Sequence, residues 1–192
     1  MTDSYRMQTP LVTLETADDT ARAALEAAKA QVGFVPNMYG AMANAPGLLE
    51  TYLFGYDRLR KGSALTPPEQ EVVFLTISRA NGCDYCMAAH SMIGEKMSKV
   101  PADVLEAVRA NAPIGDARLA ALSVFTEEMF VSRGRPSEAS VTAFKAAGFE
   151  ERHMLDIVLA LAVKTLSNYA NHLFHTPVDP AFDAWRWTGP SA

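Results

Sequence analysis

The sequence predicts an all-α chain, and three observations predict it. Apolar residues recur at intervals of three and four along most of the 192 residues, the period of one face of a helix. No segment shows the period-two alternation of a half-buried strand. Pro36, Pro46, Pro67 and Pro101 each stand where a periodic segment begins, the position proline tolerates best in a helix.

The elements follow in order. Residues 18–31 open with Asp18 and Asp19 and run through Ala23, Ala24, Leu25, Ala27 and Ala28, an amphipathic helix with acids at its positive end. Gly33 ends it. Pro36-Asn37 starts a short second helix, and Pro46-Gly47 a third that carries Leu48, Leu49, Leu53, Tyr56 and Leu59 to Arg60. Thr66-Pro67-Pro68-Glu69 is the clearest helix start, with Thr66 as N-cap, Pro67 in the first turn and Glu69 completing a capping box. That helix runs to Arg79, and Asn81-Gly82 breaks it. A further helix, holding both cysteines, is predicted from there to about Met97. Segments from Pro101 to Val108, Asp116 to Val131, Ser137 to Ala146 and Glu150 to Phe174 complete the set. We read residues 1–64 as a helical lead-in packed on the core, 65–176 as the core and 177–192 as a tail. Phe182, Trp185 and Trp187 in that tail are expected to pack on their own domain or on a neighbouring subunit.

Composition excludes several functions. A net charge of -5 with scattered basic residues leaves no patch to neutralise phosphates, so no nucleic-acid partner is expected. The longest basic cluster, Arg58-Leu59-Arg60-Lys61, reads as a solvated helix end. No apolar run approaches the length of a membrane span, and no membrane partner is expected. The first residues lack the basic start and apolar middle of a signal peptide, which makes a reducing cytoplasmic location the expectation. No glycine-rich phosphate loop is present, and no cofactor is expected.

The chemistry concentrates in one place. The chain's two cysteines stand three apart as Cys83-Asp84-Tyr85-Cys86, with His90 four residues beyond and Glu71 twelve before. In a reducing compartment such a pair reads as redox or metal chemistry rather than a staple. On a helix, positions 83, 86 and 90 share one face, so the thiols can close a disulfide and His90 comes within reach of the Cys86 sulfur. The helix start lowers a thiol pKa, and an adjacent imidazole can take its proton. Glu71 lies among Val72, Val73, Leu75 and Ile77; turned inward it would have a raised pKa and could shuttle protons. Glu69 reads instead as the solvated first-turn acid. His153 is expected to be exposed, and His172 and His175 to sit at a helix C-terminus. An apolar pocket bordered by Phe74, Ile77, Met87 and Ile93 is expected beside the motif.

Glu71, Cys83-x-x-Cys86 and His90 at these spacings resemble the signature of the AhpD-like alkylhydroperoxidases of the carboxymuconolactone decarboxylase superfamily. The segment Thr76 to His90, with Gly33-Phe34-Val35-Pro36-Asn37 upstream and Asn168-Tyr169-Ala170-Asn171-His172 downstream, is similar to the peroxidase-related branch. The resemblance implies an AhpD-like helical bundle that forms homo-oligomers. It implies that Cys86 is the attacking thiol, Cys83 the resolving one, and His90 with Glu71 the proton relay. The implied partners are an organic hydroperoxide or related oxidant and an external dithiol or thiol-redox protein as reductant. Tyr85 departs from the pattern, which has histidine between the cysteines, and so leaves the relay and the reductant open. The decarboxylase side of the superfamily lacks the cysteine pair, which disfavours lactone decarboxylation.

Three alternatives stay open on the residues alone. Cys83, Cys86 and His90 could hold zinc with Glu71 or a distant histidine, although no second cysteine knuckle closes such a site. The pair could be chemically idle in a helical interaction module. A thiol–disulfide reductase or redox sensor would use the same four residues.

Overall fold

The computed structural model describes residues 4–189. Among them the chain is helical with no strand, in agreement with the predicted class. The helices are α1 (Asp19–Val32), α2 (Asn37–Met42), α3 (Pro46–Gly62), α4 (Pro67–Ala80), α5 (Asp84–Ile93), α6 (Ala102–Ala110), α7 (Ala117–Val131), α8 (Glu138–Ala146) and α9 (Glu151–Phe174). A π-turn (Gly94–Ser98) continues α5, and a 3-10 turn (Pro180–Trp185) lies in the tail.

α4 is the axis of the bundle. Val72, Val73, Phe74, Leu75 and Ile77 are all fully buried, so this helix is covered on every side. α5, α6, α7 and α9 pack around it, and α3 lies along α9. The Thr66 capping box forms as expected, with the Thr66 backbone N–H donating to Glu69 Oε2 at 2.8 Å. Glu69 is nevertheless buried, not solvated: Arg118 of α7 donates to its other oxygen at 2.8 Å and folds over it. His153 is also buried, because its Nδ1 accepts the Glu150 N–H at 2.9 Å and caps α9 in place of a carboxylate.

Close approach of α3 and α9 depends on Gly55. A Cβ there would lie 2.9 Å from Val163 Cγ2. Gly55→Ala is therefore expected to lower stability by about 1 kcal/mol. This is an overpacking cost of about 1–3 kcal/mol, partly offset by the ~1 kcal/mol helix preference of alanine. Urea denaturation checks it, and an unchanged or raised midpoint would refute the tight crossing.

The tail folds back on the domain. Phe182 is buried edge-on against Tyr85 and Phe34, with ring centroids 6.0 and 5.9 Å away. Trp185 Nε1 donates to Glu95 at 2.6 Å, and Trp187 Nε1 to the Arg109 carbonyl at 2.9 Å. Both tryptophans are thus held by the chain's own helices.

Candidate active site

Four helices converge on the cysteines. α5 supplies Cys86 and His90, α4 supplies Glu71, α3 supplies Tyr52, Tyr56 and Arg60, and α9 supplies Lys164, Ser167 and Asn171. Cys83 is the N-cap of α5, one residue earlier than a first-turn position, and Cys86 sits in the first turn with the free N–H groups of the helix start. Gly82, at φ 67°, reverses the chain from α4 into that start. Both sulfurs are buried and free of any disulfide.

Glu71 is fully buried and accepts on both oxygens. His90 Nδ1 lies 2.8 Å from Oε2, and the Arg60 guanidinium is bonded to Oε1. Arg60 also donates to Tyr56 OH at 2.7 Å and Gln70 Oε1 at 3.1 Å, and its guanidinium lies over the Phe74 ring at 4.9 Å. Burial alone would push the Glu71 carboxyl up, but His90 and Arg60 outweigh it and hold the group below its usual range. The raised pKa expected for an inward Glu71 is therefore corrected, because Arg60, read from sequence as part of a solvated helix end, is only 19% exposed and turned inward.

Protonation of His90 follows. Burial, together with the Lys164 charge, lowers the imidazole pKa against the pull of Glu71, so the ring is neutral near pH 7. An ionised Glu71 can only accept, which places the His90 proton on Nδ1 and leaves Nε2 with its lone pair.

The two thiols are unlike. Burial would push Cys86 up, but the Cys83 S–H and the Lys164 ammonium hold it well below the ordinary thiol range. Its interaction with Cys86, followed by burial, pushes Cys83 well above that range. Asn171 Nδ2 lies 3.3 Å from Cys86 Sγ and 3.8 Å from Cys83 Sγ. Only Cys86 of the two lines the adjoining cavity of about 970 Å³, where it is joined by His90. The apolar wall of that cavity is Phe34, Met38, Leu53, Met92, Ile93 and Phe182, with Tyr39, Tyr52 and Tyr56 adding phenol edges. Of the four residues expected to border a pocket only Ile93 does so; Phe74, Ile77 and Met87 are fully buried in the core.

Tyr85, between the cysteines, lines the same cavity but commits its hydroxyl to other partners. Its hydroxyl donates to Asp179 Oδ2 at 2.5 Å and accepts from the Met38 N–H at 3.4 Å, while Asp179 also takes the Asn37 N–H at 3.2 Å. Tyr85 thus ties the cysteine helix to α2 and the tail. Removing this hydroxyl leaves buried Asp179 short of a donor, so Tyr85→Phe is expected to cost about 1–3 kcal/mol. Thermal unfolding measures the loss, and a Tm equal to that of the parent protein would refute the tether. His172 and His175 are both exposed, and neither lines the cavity; His175 instead bonds Ser4 Oγ at 3.1 Å.

Comparison with known proteins fits this geometry. The carboxymuconolactone decarboxylase family model matches residues 46–127, a span holding Glu71, Cys83, Cys86 and His90. A peroxidase-related protein from Ralstonia eutropha JMP134, described as an alkylhydroperoxidase AhpD core, superposes with a TM-score of 0.81 at 26% identity, over 91% of this chain and 93% of that one. The chain thus resembles the AhpD-like carboxymuconolactone decarboxylase superfamily in its matched segment and in its fold. A peroxidase-related protein from Silicibacter sp. TM1040 shares the fold at 23% identity and a TM-score of 0.74, over 94% of this chain and 97% of that chain. The debrominase Bmp8, in complex with 2,3,4-tribromopyrrole, shares the fold at 15% identity and a TM-score of 0.73, over 95% and 97% of the two chains. No curated protein sequence matches the chain.

The span matched by the family model includes the four residues singled out from sequence. Arg60, Lys164, Ser167 and Asn171, which also face the site, were not identified from the sequence as site residues. A lone lysine directly after the apolar run from Ile157 to Val163 was the one available signal, since a buried ammonium needs a reason to be there. Among the described residues no cluster of His, Cys, Asp and Glu has the geometry to hold a metal ion.

Proposed function

We propose that the chain is a thiol-dependent peroxidase in which Cys86 attacks and Cys83 resolves. The observation that carries this reading is the asymmetry of the pair: Cys86 alone opens on the cavity and is held toward thiolate, while Cys83 stays a thiol behind it. The thiolate is the nucleophile toward peroxide. Cys86 attacks the distal oxygen, the O–O bond breaks, Cys86 becomes a sulfenic acid and the alkoxide leaves, taking a proton to become an alcohol. Cys83 then attacks the sulfenic sulfur, water departs and the disulfide forms. An external dithiol returns both sulfurs to the reduced state and leaves as its own disulfide. His90 Nε2, with its tautomer set by Glu71, is the group that carries protons between these steps. The apolar wall favours an organic hydroperoxide over hydrogen peroxide.

Both sulfurs are 1% exposed, which suits a slender dithiol reaching through the cavity and disfavours a folded protein disulfide as oxidant. The reading includes a reducing, cytoplasmic setting, and no helix among the described residues is long and apolar enough to cross a membrane. It also includes a homo-oligomer, supported by the exposed apolar residues Leu155, Val158, Tyr169 and Leu173 along α9.

Intact mass after one equivalent of an organic hydroperoxide tests the function. Loss of two hydrogens within seconds, reversed by dithiothreitol, is the expected result. An unchanged mass would sink the peroxidase reading.

A further inference from the structure

The face of α9 turned toward the thiols carries donors and positive charge but no carboxylate. Lys164, Ser167 and Asn171 follow at spacings of three and four and so form one stripe. Asn171 Nδ2 reaches Cys86 Sγ at 3.3 Å, while Ser167 Oγ, 4.0 Å from the same sulfur, donates its own hydrogen to the Val163 carbonyl at 3.2 Å. Lys164 is 1% exposed, and its Nζ has no hydrogen-bond partner among the described residues. It lies 5.5 Å from the centre of the Phe74 ring and forms no ion pair with a carboxylate there. An ammonium left alone in a core is strongly unfavourable unless an anion compensates it. Glu71 is occupied by Arg60 and His90, which leaves the Cys86 sulfur as the anion available to Lys164.

We propose that Lys164, with Asn171, forms a sulfur-anion site that holds Cys86 as a thiolate and makes the Cys83–Cys86 disulfide easy to reduce. The second half of this proposal rests on the dithiol cycle proposed above. In the reduced site Arg60 balances Glu71, and Lys164 balances the thiolate. Disulfide formation removes the thiolate and strands Lys164 without a counter-charge. Reduction by an external dithiol restores it: the disulfide takes two electrons, Cys83 takes a proton, Cys86 stays ionised, and the donor leaves oxidised with its second proton released. A couple whose reduced form is stabilised in this way is the more oxidising one. The titratable groups around Cys86 are Cys83, Tyr85 and His90 from α5 and its cap, Tyr52 and Tyr56 from α3 and Lys164 from α9, with Arg60 and Glu71 behind them, bonded to Tyr56 and His90. Of these, Lys164 is the one cation not already bonded to a carboxylate.

Lys164→Met, read by ultraviolet thiolate absorbance against pH, tests the site without any peroxide. The Cys86 inflection is expected to rise by about one pH unit or more, and the equilibrium against dithiothreitol to shift about tenfold toward the disulfide, ~30 mV for a two-electron couple. Tm should change little, because Cys86 takes up a proton once its counter-charge is gone and no buried charge is left unpaired. Lys164→Arg keeps the charge and should keep the inflection. Should Lys164→Met fail to fold, Asn171→Leu reads the same site, with an upward shift in the same direction expected. An unmoved inflection in Lys164→Met, or an equal rise in Lys164→Arg, overturns the proposal. Failure of the parent protein to consume hydroperoxide while the inflection moves would instead strike the peroxidase reading and leave the anion site standing.

Discussion

Cys86→Ser is expected to abolish turnover of organic hydroperoxide, by at least ~10³-fold, the scale on which loss of a nucleophile is felt. Serine keeps the shape of the side chain, but its hydroxyl does not ionise near neutral pH, so neither the cavity nor His90 can compensate. Cys83→Ser should behave differently. Cys86 still opens on the cavity and still oxidises once, but no second thiol stands within reach to condense with the sulfenic acid. The product should be heavier by one oxygen, about 16 Da, and with excess oxidant should pass to the sulfinic acid. Mass spectrometry of the two variants after one and ten equivalents separates the roles. Equal single oxidation of both variants would show that the sulfurs are interchangeable and that the asymmetry of their environments does not govern the chemistry.

Glu71→Ala is expected to cost about 3–5 kcal/mol, the penalty for breaking a buried ion pair from one side. The carboxylate is fully buried and holds both Arg60 and His90, so its removal strands a guanidinium and frees the imidazole to flip. The pH dependence has a definite sign. The folded-state pKa of Glu71 is depressed, so its stabilisation is fully present above the unfolded value of about 4.3 and is lost as pH falls through the folded pKa. Glu71→Gln should lose this contribution at pH 7 and flatten the acid limb of the stability curve. Denaturant titrations at pH 7 and pH 3 measure both effects. A variant whose stability gap from the parent is the same at the two pH values would show that Glu71 is not held ionised in the folded protein.

Much of the site was legible before folding because local rules govern it. Cys83, Cys86 and His90 lie within eight residues, where helix geometry alone decides which side chains share a face. The Thr66–Glu69 cap and the break at Asn81-Gly82 are likewise local, and both formed as read. Glu71 was visible as an acid in an apolar helix, but its partners were not. Arg60 lies eleven residues away across a turn, and from sequence it looked like any basic residue ending a helix. Its inward orientation comes from the packing of α3 over α4, which stacks its guanidinium on Phe74 and directs it to the carboxylate. Glu69 and His153 were misread for a related reason: each is exposed by the logic of its own helix and is covered by, or recruited into, a cap that sequence spacing does not announce.

The sequence by itself determined the helical class, nearly every helix start and the placing of two thiols and an imidazole on one helix. Those features depend on residues within a turn or two of one another, and the relevant free energies are local. Which thiol faces the cavity, which proton His90 carries and what charge lies opposite the sulfur were decided only by the tertiary structure. They depend on α3 and α9, which bring Arg60 and Lys164 to the site from opposite ends of the chain. In a buried site, charge is set by whichever groups are brought close in low dielectric, and sequence distance says nothing about that.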